Sequence, residues 1–261
     1  MRLTLALVCF CSSIASAQFT SMRWEVEGDH LNVTLGPPAA YGSTAIAGFP
    51  YSAEETSERV QTLADGTHIT QSQSHRKLWR DSQGRTRIEQ QIGLGMPMEA
   101  GMAGKYILVE VRDPVAGFIY VLDEQAKVAH RLAAPASDAR RRVPPASTAA
   151  SAAKLRTQFE TEKLGSQNIE GIVAEGTRST RTFPVGEIGN DRPIVTISEY
   201  WISQELKQMV LSKTSDPRLG DNTMRWTNIT RTEPDASLFT VPSGYTIVDE
   251  KDSITVALKR Q

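Results

Sequence analysis

The sequence predicts a mainly β protein: a curved antiparallel sheet or half-barrel with one or two short helices. Three observations predict it. From Tyr51 onward the dominant hydropathy period is two, the period of a strand with one buried face. Turn signals interrupt that pattern at short intervals, as in Ala64-Asp65-Gly66, Ser82-Gln83-Gly84 and Asp113 to Gly117. Two runs, Tyr106 to Val111 and Phe118 to Leu122, are apolar at both parities, which is how strands covered on both faces read.

The elements follow in order. Met1 to Ala17 reads as a secretory signal peptide: Arg2 supplies the positive start, Leu3 to Phe10 the apolar run, and Ala15-Ser16-Ala17 the small residues before a cleavage site. The apolar run is too short to span a bilayer, and no later segment suits a transmembrane helix. Both cysteines, Cys9 and Cys11, fall inside it, so a chain cut after Ala17 has no thiol for disulfides, zinc or nucleophilic catalysis. Residues 18–50, rich in Gly, Pro and Ala after Trp24, are expected to be irregular and to plug whatever the sheet encloses. Residues 51–261 are expected to form the half-barrel domain, interrupted by a low-complexity linker at 134–155.

Within that domain Glu55 to Leu63 and Thr67 to Trp79 make a hairpin, with Asp65-Gly66 as a type I′ turn. A helix from Ser52 to Gly66 is the rival reading; Val60 and Leu63 alone make a poor helical stripe. Arg85 to Ile92, the two apolar runs and Lys127 to Leu132 continue the meander. Strands resume at Thr157 to Leu164, with a turn at Gly165 to Gly171. Ile172 to Phe183, Ile194 to Ile202, Met209 to Lys213 and Met224 to Arg231 follow. Ser203 to Leu206 is expected to make a helical turn, Asp235 to cap a short helix, and Thr246 to Leu258 to supply one or two closing strands.

Composition bounds the function. The chain has 261 residues, with 29 Lys+Arg against 30 Asp+Glu. That balance excludes the basic surface of a duplex nucleic-acid binder. No His-x-x-x-His helix motif and no Gly-x-Ser-x-Gly elbow occur, and Gly93-Leu94-Gly95 lacks the third glycine of a dinucleotide loop because Met98 stands there. His68 and His75 are an odd number of residues apart on one strand and face opposite sides. No catalytic, metal or cofactor residue is assigned. The Met96, Met98 and Met102 loop reads as an adaptable apolar flap, with soft Cu(I) ligation as its alternative. Arg140 to Arg142 reads as a solvated linker cluster beside Pro144-Pro145.

Several segments resemble exported bacterial proteins of unknown function, of an acidobacterial type, related in pattern to the lipoprotein-carrier and RseB-like half-barrels. They are Asp81 to Glu89, Tyr120 to Asp123, Glu233 to Phe239 and Val241 to Tyr245, with Ile188 to Pro193. The resemblance implies a meander closed by a helical turn. The two long helices of the lipoprotein carriers are not evident, and that departs from the pattern.

The expected function is therefore non-enzymatic: an exported envelope protein, periplasmic or secreted, that binds a hydrophobic small molecule, lipid or acyl chain in the concave face of its sheet. Tyr106, Leu108, Phe118, Tyr120, Leu122, Tyr200, Trp201 and Trp226 are the residues expected to line that face. The same residues are equally those of a filled core. An envelope-sensing or scaffolding protein that binds another protein is the alternative, and an unrecognised hydrolase the third reading.

Overall fold

The computed structural model describes residues 7–8, 21–27, 30–37, 46–92, 106–134 and 158–259. The Met96 to Met102 loop, the Arg140 to Arg142 run and almost all of the 134–155 linker lie outside those residues. The chain divides into two compact units. Unit 1 comprises 1–54, 74–140 and 230–261; unit 2 comprises 55–73 and 141–229.

Unit 1 holds β1 (Leu7–Val8), β2 (Met22–Glu27) and β3 (His30–Leu35), and the first residues of β4 (Tyr51–Thr62). It continues with the second half of β5 (His68–Arg80), β6 (Thr86–Ile92), β7 (Tyr106–Asp113), β8 (Phe118–Asp123) and β9 (Val128–Ala133). β2 and β3, within the segment read from sequence as irregular, pair antiparallel instead. Leu31, Val33 and Leu35 alternate with polar neighbours, so one side of β3 is apolar.

Unit 2 holds the rest of β4 and β5 with β10 (Gln158–Ile169), β11 (Ile172–Phe183), β12 (Ile194–Ser203), β13 (Gln208–Asp216) and β14 (Gly220–Thr230). Unit 1 closes with a 3-10 turn (Ala236–Phe239), β15 (Thr246–Asp249) and β16 (Ile254–Lys259). Asp235 caps the turn, its side chain accepting from the Ser237 N–H as its place in the sequence predicts.

Most described residues are in strands, and the fold class is the expected one. The long ladder runs β10-β11-β12-β13-β14-β4-β5-β6-β7-β8-β9-β15, and its end strands do not pair with each other, so the sheet stays open as a half-barrel. A second sheet, β1-β2-β3-β16, joins the N-terminal hairpin to the C-terminal strand.

Three turns differ from their sequence reading. Between β4 and β5 only Gly66 has positive φ (85°), and Leu63 donates to Thr67 O at 2.8 Å. That is a three-residue loop ending in a left-handed glycine, not a type I′ turn. Gly165 is a bulge glycine at the register shift in β10, while Glu170 and Gly171, both at positive φ, make the actual β10–β11 turn. Residues 204–207 form a tight strand-to-strand turn rather than a helical one, tied by the Leu206 N–H to Ser203 Oγ at 3.1 Å.

Candidate functional site

Register decides which of the expected groove residues share a face. In unit 1, Val109 stands opposite Leu122, Glu110 opposite Val121 and Val111 opposite Tyr120. Tyr106 and Leu108 therefore point to one side of the sheet, and Phe118, Tyr120 and Leu122 to the other. The reading that put these five on one concave face is corrected by that parity. In unit 2, Tyr200 and Trp201 are consecutive in β12 and point opposite ways, with Trp226 on the Tyr200 side.

Both faces of β7 and β8 take their packing from within unit 1. On the Tyr106 side, Leu31, Val33 and Leu35 of β3 and Ile254, Val256 and Leu258 of β16 pack on Ile92, Tyr106, Leu108, Val121 and Leu132. Tyr106 has no exposure and Leu108 only 4%. On the opposite side Val109, Leu122 and Ala129 pack beside Ile107 and Tyr120 of the same face, and Val241 and Tyr245, from outside these strands, pack against them. Phe118 lies under the Arg131 guanidinium, 4.6 Å from its ring centre, and Asp249 holds that guanidinium. The Tyr106 face is thus a filled core, while the opposite face is partly covered, with Ile107, Phe118 and Tyr120 half-buried.

The same side of the sheet carries a half-buried titratable group that sequence reasoning missed. Glu110 lies on the Tyr106 side of β7, and its Oε1 is buried without a hydrogen-bond partner in the described structure. Burial pushes its carboxyl up to about 8, against the pull of Arg112 and Arg76.

Two of the segments named for the resemblance, Asp81 to Glu89 and Glu233 to Phe239, meet in a structural joint. Asp81 is buried and accepts from the Gln83 and Arg85 backbone N–H groups and from Arg85 Nε. Glu233 accepts from the Ser82 N–H at 3.0 Å and from Ser82 Oγ, contacts that hold its carboxyl below the usual range. Arg85 lies over the Phe239 ring at 5.3 Å, and Arg87 donates to Leu238 O. These residues lock the β5–β6 turn to the 3-10 turn.

The histidines are dispersed: His68 Nδ1 meets Thr62 Oγ1, His75 lies 3.6 Å from Glu54, and His130 Nδ1 lies 2.8 Å from Glu250. Among the described residues no three His, Cys, Asp or Glu side chains are grouped to hold a metal. No helix of the described residues is long and apolar enough to cross a membrane.

Unit 2 is built differently. At one end Ile169, Ile172, Ala174, Leu206 and Val210 are buried, and Trp201 lies against Gly176. Trp226 donates its indole N–H to Glu55 Oε2 at 3.0 Å, both side chains buried. Elsewhere the sheet is open. Among the described residues β10 pairs with β11 alone, and ten of its twelve residues are exposed. Phe159 is 64% exposed and Val173 59%. Glu160 and Glu162 give this edge negative charge, one of the devices that keep edges from pairing with copies of themselves.

No family model matches the sequence, and no curated protein matches it. Solved structures of similar arrangement include an uncharacterized conserved protein from Thermus thermophilus, at 9% identity over 78% of this chain and 91% of that one, with a TM-score of 0.39. The MucA/MucB complex of Pseudomonas aeruginosa is similar at 12% identity over 76% of this chain and 58% of that one, with a TM-score of 0.36. A LolA-superfamily protein from Nitrosomonas europaea is similar at 8% identity over 75% of this chain and 91% of that one, with a TM-score of 0.27.

Proposed function

We propose that this is a non-enzymatic exported protein that binds another envelope protein along the open edge of unit 2. The observation that carries this reading is β10: a twelve-residue strand with one neighbour among the described residues and a nearly continuous row of exposed residues. A partner strand laid beside it would add a further ladder of backbone hydrogen bonds. The lipid-carrier reading loses support in unit 1, because β3 and β16 already occupy the Tyr106 and Leu108 face where an acyl chain would lie. Export rests on the Met1 to Ala17 pattern, and N-terminal sequencing of the secreted chain should begin at Gln18.

A photo-crosslinking residue at Thr161, on the exposed edge, tests the partner reading against the same residue at Thr255, exposed on β16. A discrete protein adduct in the envelope fraction at Thr161 and not at Thr255 is expected. No adduct at either place, with stoichiometric lipid extracted from the purified protein, would restore the carrier.

A further inference from the structure

Unit 2 carries a second surface, a face of its sheet that shares Thr161 and Phe159 with the β10 edge. On one face of its sheet, five residues stand opposite one another on successive strands: Thr161, Ser179, Ser198, Thr214 and Asn222. Ser57 of β4 extends the row by donating to Asn222 Oδ1 at 3.3 Å, and the Ser198 and Thr214 hydroxyls are 3.4 Å apart. Six strands therefore present one rung of small polar side chains, about 24 Å long at the usual strand spacing. Ser179, Ser198, Thr214 and Asn222 are partly exposed and Thr161 is exposed.

The rungs on either side of it differ. Lys163, Thr177, Tyr200 and Ser212 form one. Phe159, Arg181 and Thr196 form the other, and Thr196 continues it by donating to Asp216 at 3.0 Å. Arg181 is the exception among the stacked or paired arginines of this region. Arg178 is held by Glu199 and Glu162, and Arg218 by Asp216. Arg181 has no carboxylate among the described residues; its guanidinium lies 5.3 Å from the centre of Phe159 and 4.1 Å from that of Phe183. Its Nε is buried and makes no hydrogen bond. Two rings fix the plane of a cation that no carboxylate of the described residues pairs with, while Arg218, on the Phe183 ring beside it, is taken by Asp216.

We propose that this face binds a short anionic glycan, with Arg181 taking a carboxylate of an acidic sugar and the Thr161-to-Ser57 rung pairing with sugar hydroxyls. The charge complementarity is specific: an immobilised guanidinium fork suits a carboxylate, which it can engage with two parallel hydrogen bonds. The rung supplies donors and acceptors but few apolar atoms, whereas the centre of a protein interface is apolar and aromatic. Phe159, 64% exposed, and Tyr200, half-buried, flank the rung and would add apolar contact to the C–H faces of sugars. One uncompensated guanidinium does not provide the several cationic contacts by which proteins hold a nucleic-acid phosphate chain.

The test is calorimetric titration of the full chain with hexagalacturonate, a neutral maltohexaose and hexaglutamate. Binding of the acidic sugar alone, weakened by salt, is expected. Arg181→Gln should lower its affinity at least about tenfold, as loss of a charged hydrogen-bonding partner does. Thr161→Val, an exposed change on the edge strand that spares the core, should lower it severalfold and covers the case in which the Arg181 variant does not fold. Absence of hexagalacturonate binding overturns the proposal, as does equal binding of hexaglutamate, which would assign the face to an acidic protein. Unchanged affinity in a folded Arg181→Gln protein also overturns it.

Discussion

Val33 of β3 and Val256 of β16 stand directly opposite each other in the small sheet, and both are buried. Leu31 pairs with Leu258 and Leu35 with Ile254 in the same ladder. The two ends of the chain thus make one cover for the Tyr106 face. Because that cover is tightly buried, Leu31→Ala should cost about 2–5 kcal/mol in urea unfolding. Wild-type protein should take up no fluorescent fatty acid. Val256→Asp, which puts a charge under the cover, should either unfold unit 1 or open the face to the probe. Uptake by the wild type at one equivalent would show that the face is a ligand groove after all.

Glu110 sets a pH dependence that can be read without any ligand. Its carboxyl titrates near 8 in the folded protein, because burial disfavours the charge, against an ordinary value of 4.5. A group raised in this way contributes its stability in full below 4.5 and loses it as the pH rises through 8. Glu110→Gln removes that titration. The variant should gain on the wild type between pH 4.5 and 8, by up to a few kcal/mol once the partial exposure of the residue is allowed for. Parallel urea midpoints for the two proteins from pH 4 to 9 would refute the assignment.

Glu233 should behave in the opposite sense. Its carboxyl is held down by the Ser82 hydroxyl and N–H. The stability it contributes is present above its ordinary pKa and fades as the pH falls through the lowered one. Glu233→Gln should therefore lower the thermal midpoint at neutral pH, and the difference should shrink toward pH 3. The side chain is exposed, so the effect is small. A difference that grows on acidification would mean that Ser82 is not its partner.

Trp226 and Glu55 join β14 to β4 through a buried hydrogen bond. Trp226→Phe keeps most of the ring and removes the donor. The expected cost is about 1–3 kcal/mol, with part of it recovered when Glu55→Gln is added, since the remaining buried charge is then gone. Additive effects of the two changes would indicate that the indole contributes only by its volume.

Much of this fold is legible in the sequence because strand parity and turn chemistry are local. Ile172 to Phe183 is bounded correctly by its alternation and its flanking turns, and Asp235 announces the 3-10 turn. The double-sided apolarity of Tyr106 to Val111 correctly demands a covering on each face, complete on the Tyr106 side and partial on the other. What covers each face is a nonlocal fact. The alternation of Leu31, Val33 and Leu35 is visible, yet its pairing with Ile254, Val256 and Leu258 joins residues more than two hundred positions apart. The candidate site failed for two distinct reasons. Tyr200 and Trp201 are adjacent, so strand geometry alone excludes them from one face. Phe118 and Leu108 needed the β7–β8 register, which a four-residue turn does not fix. The Thr161-to-Asn222 rung is invisible in sequence, since each member is an ordinary polar residue on its own strand.

Gly176 offers the sharpest test of packing in unit 2. It stands opposite Trp201, and a Cβ built on it would lie 2.7 Å from the indole ring, inside any real contact distance. The backbone there is ordinary extended strand, so the glycine is required by the neighbouring ring and not by its own dihedral angles. Gly176→Ala should therefore destabilise the protein by about 1–3 kcal/mol, the usual cost of overpacking, although alanine by itself favours a strand more than glycine does. Trp201→Leu alone removes buried ring surface and should also cost stability. Combined, the two changes should cost less than their sum, because the smaller side chain makes room for the new methyl group. A double-mutant cycle by urea unfolding reads that coupling. Strict additivity would mean that the indole does not rest on Gly176 in solution.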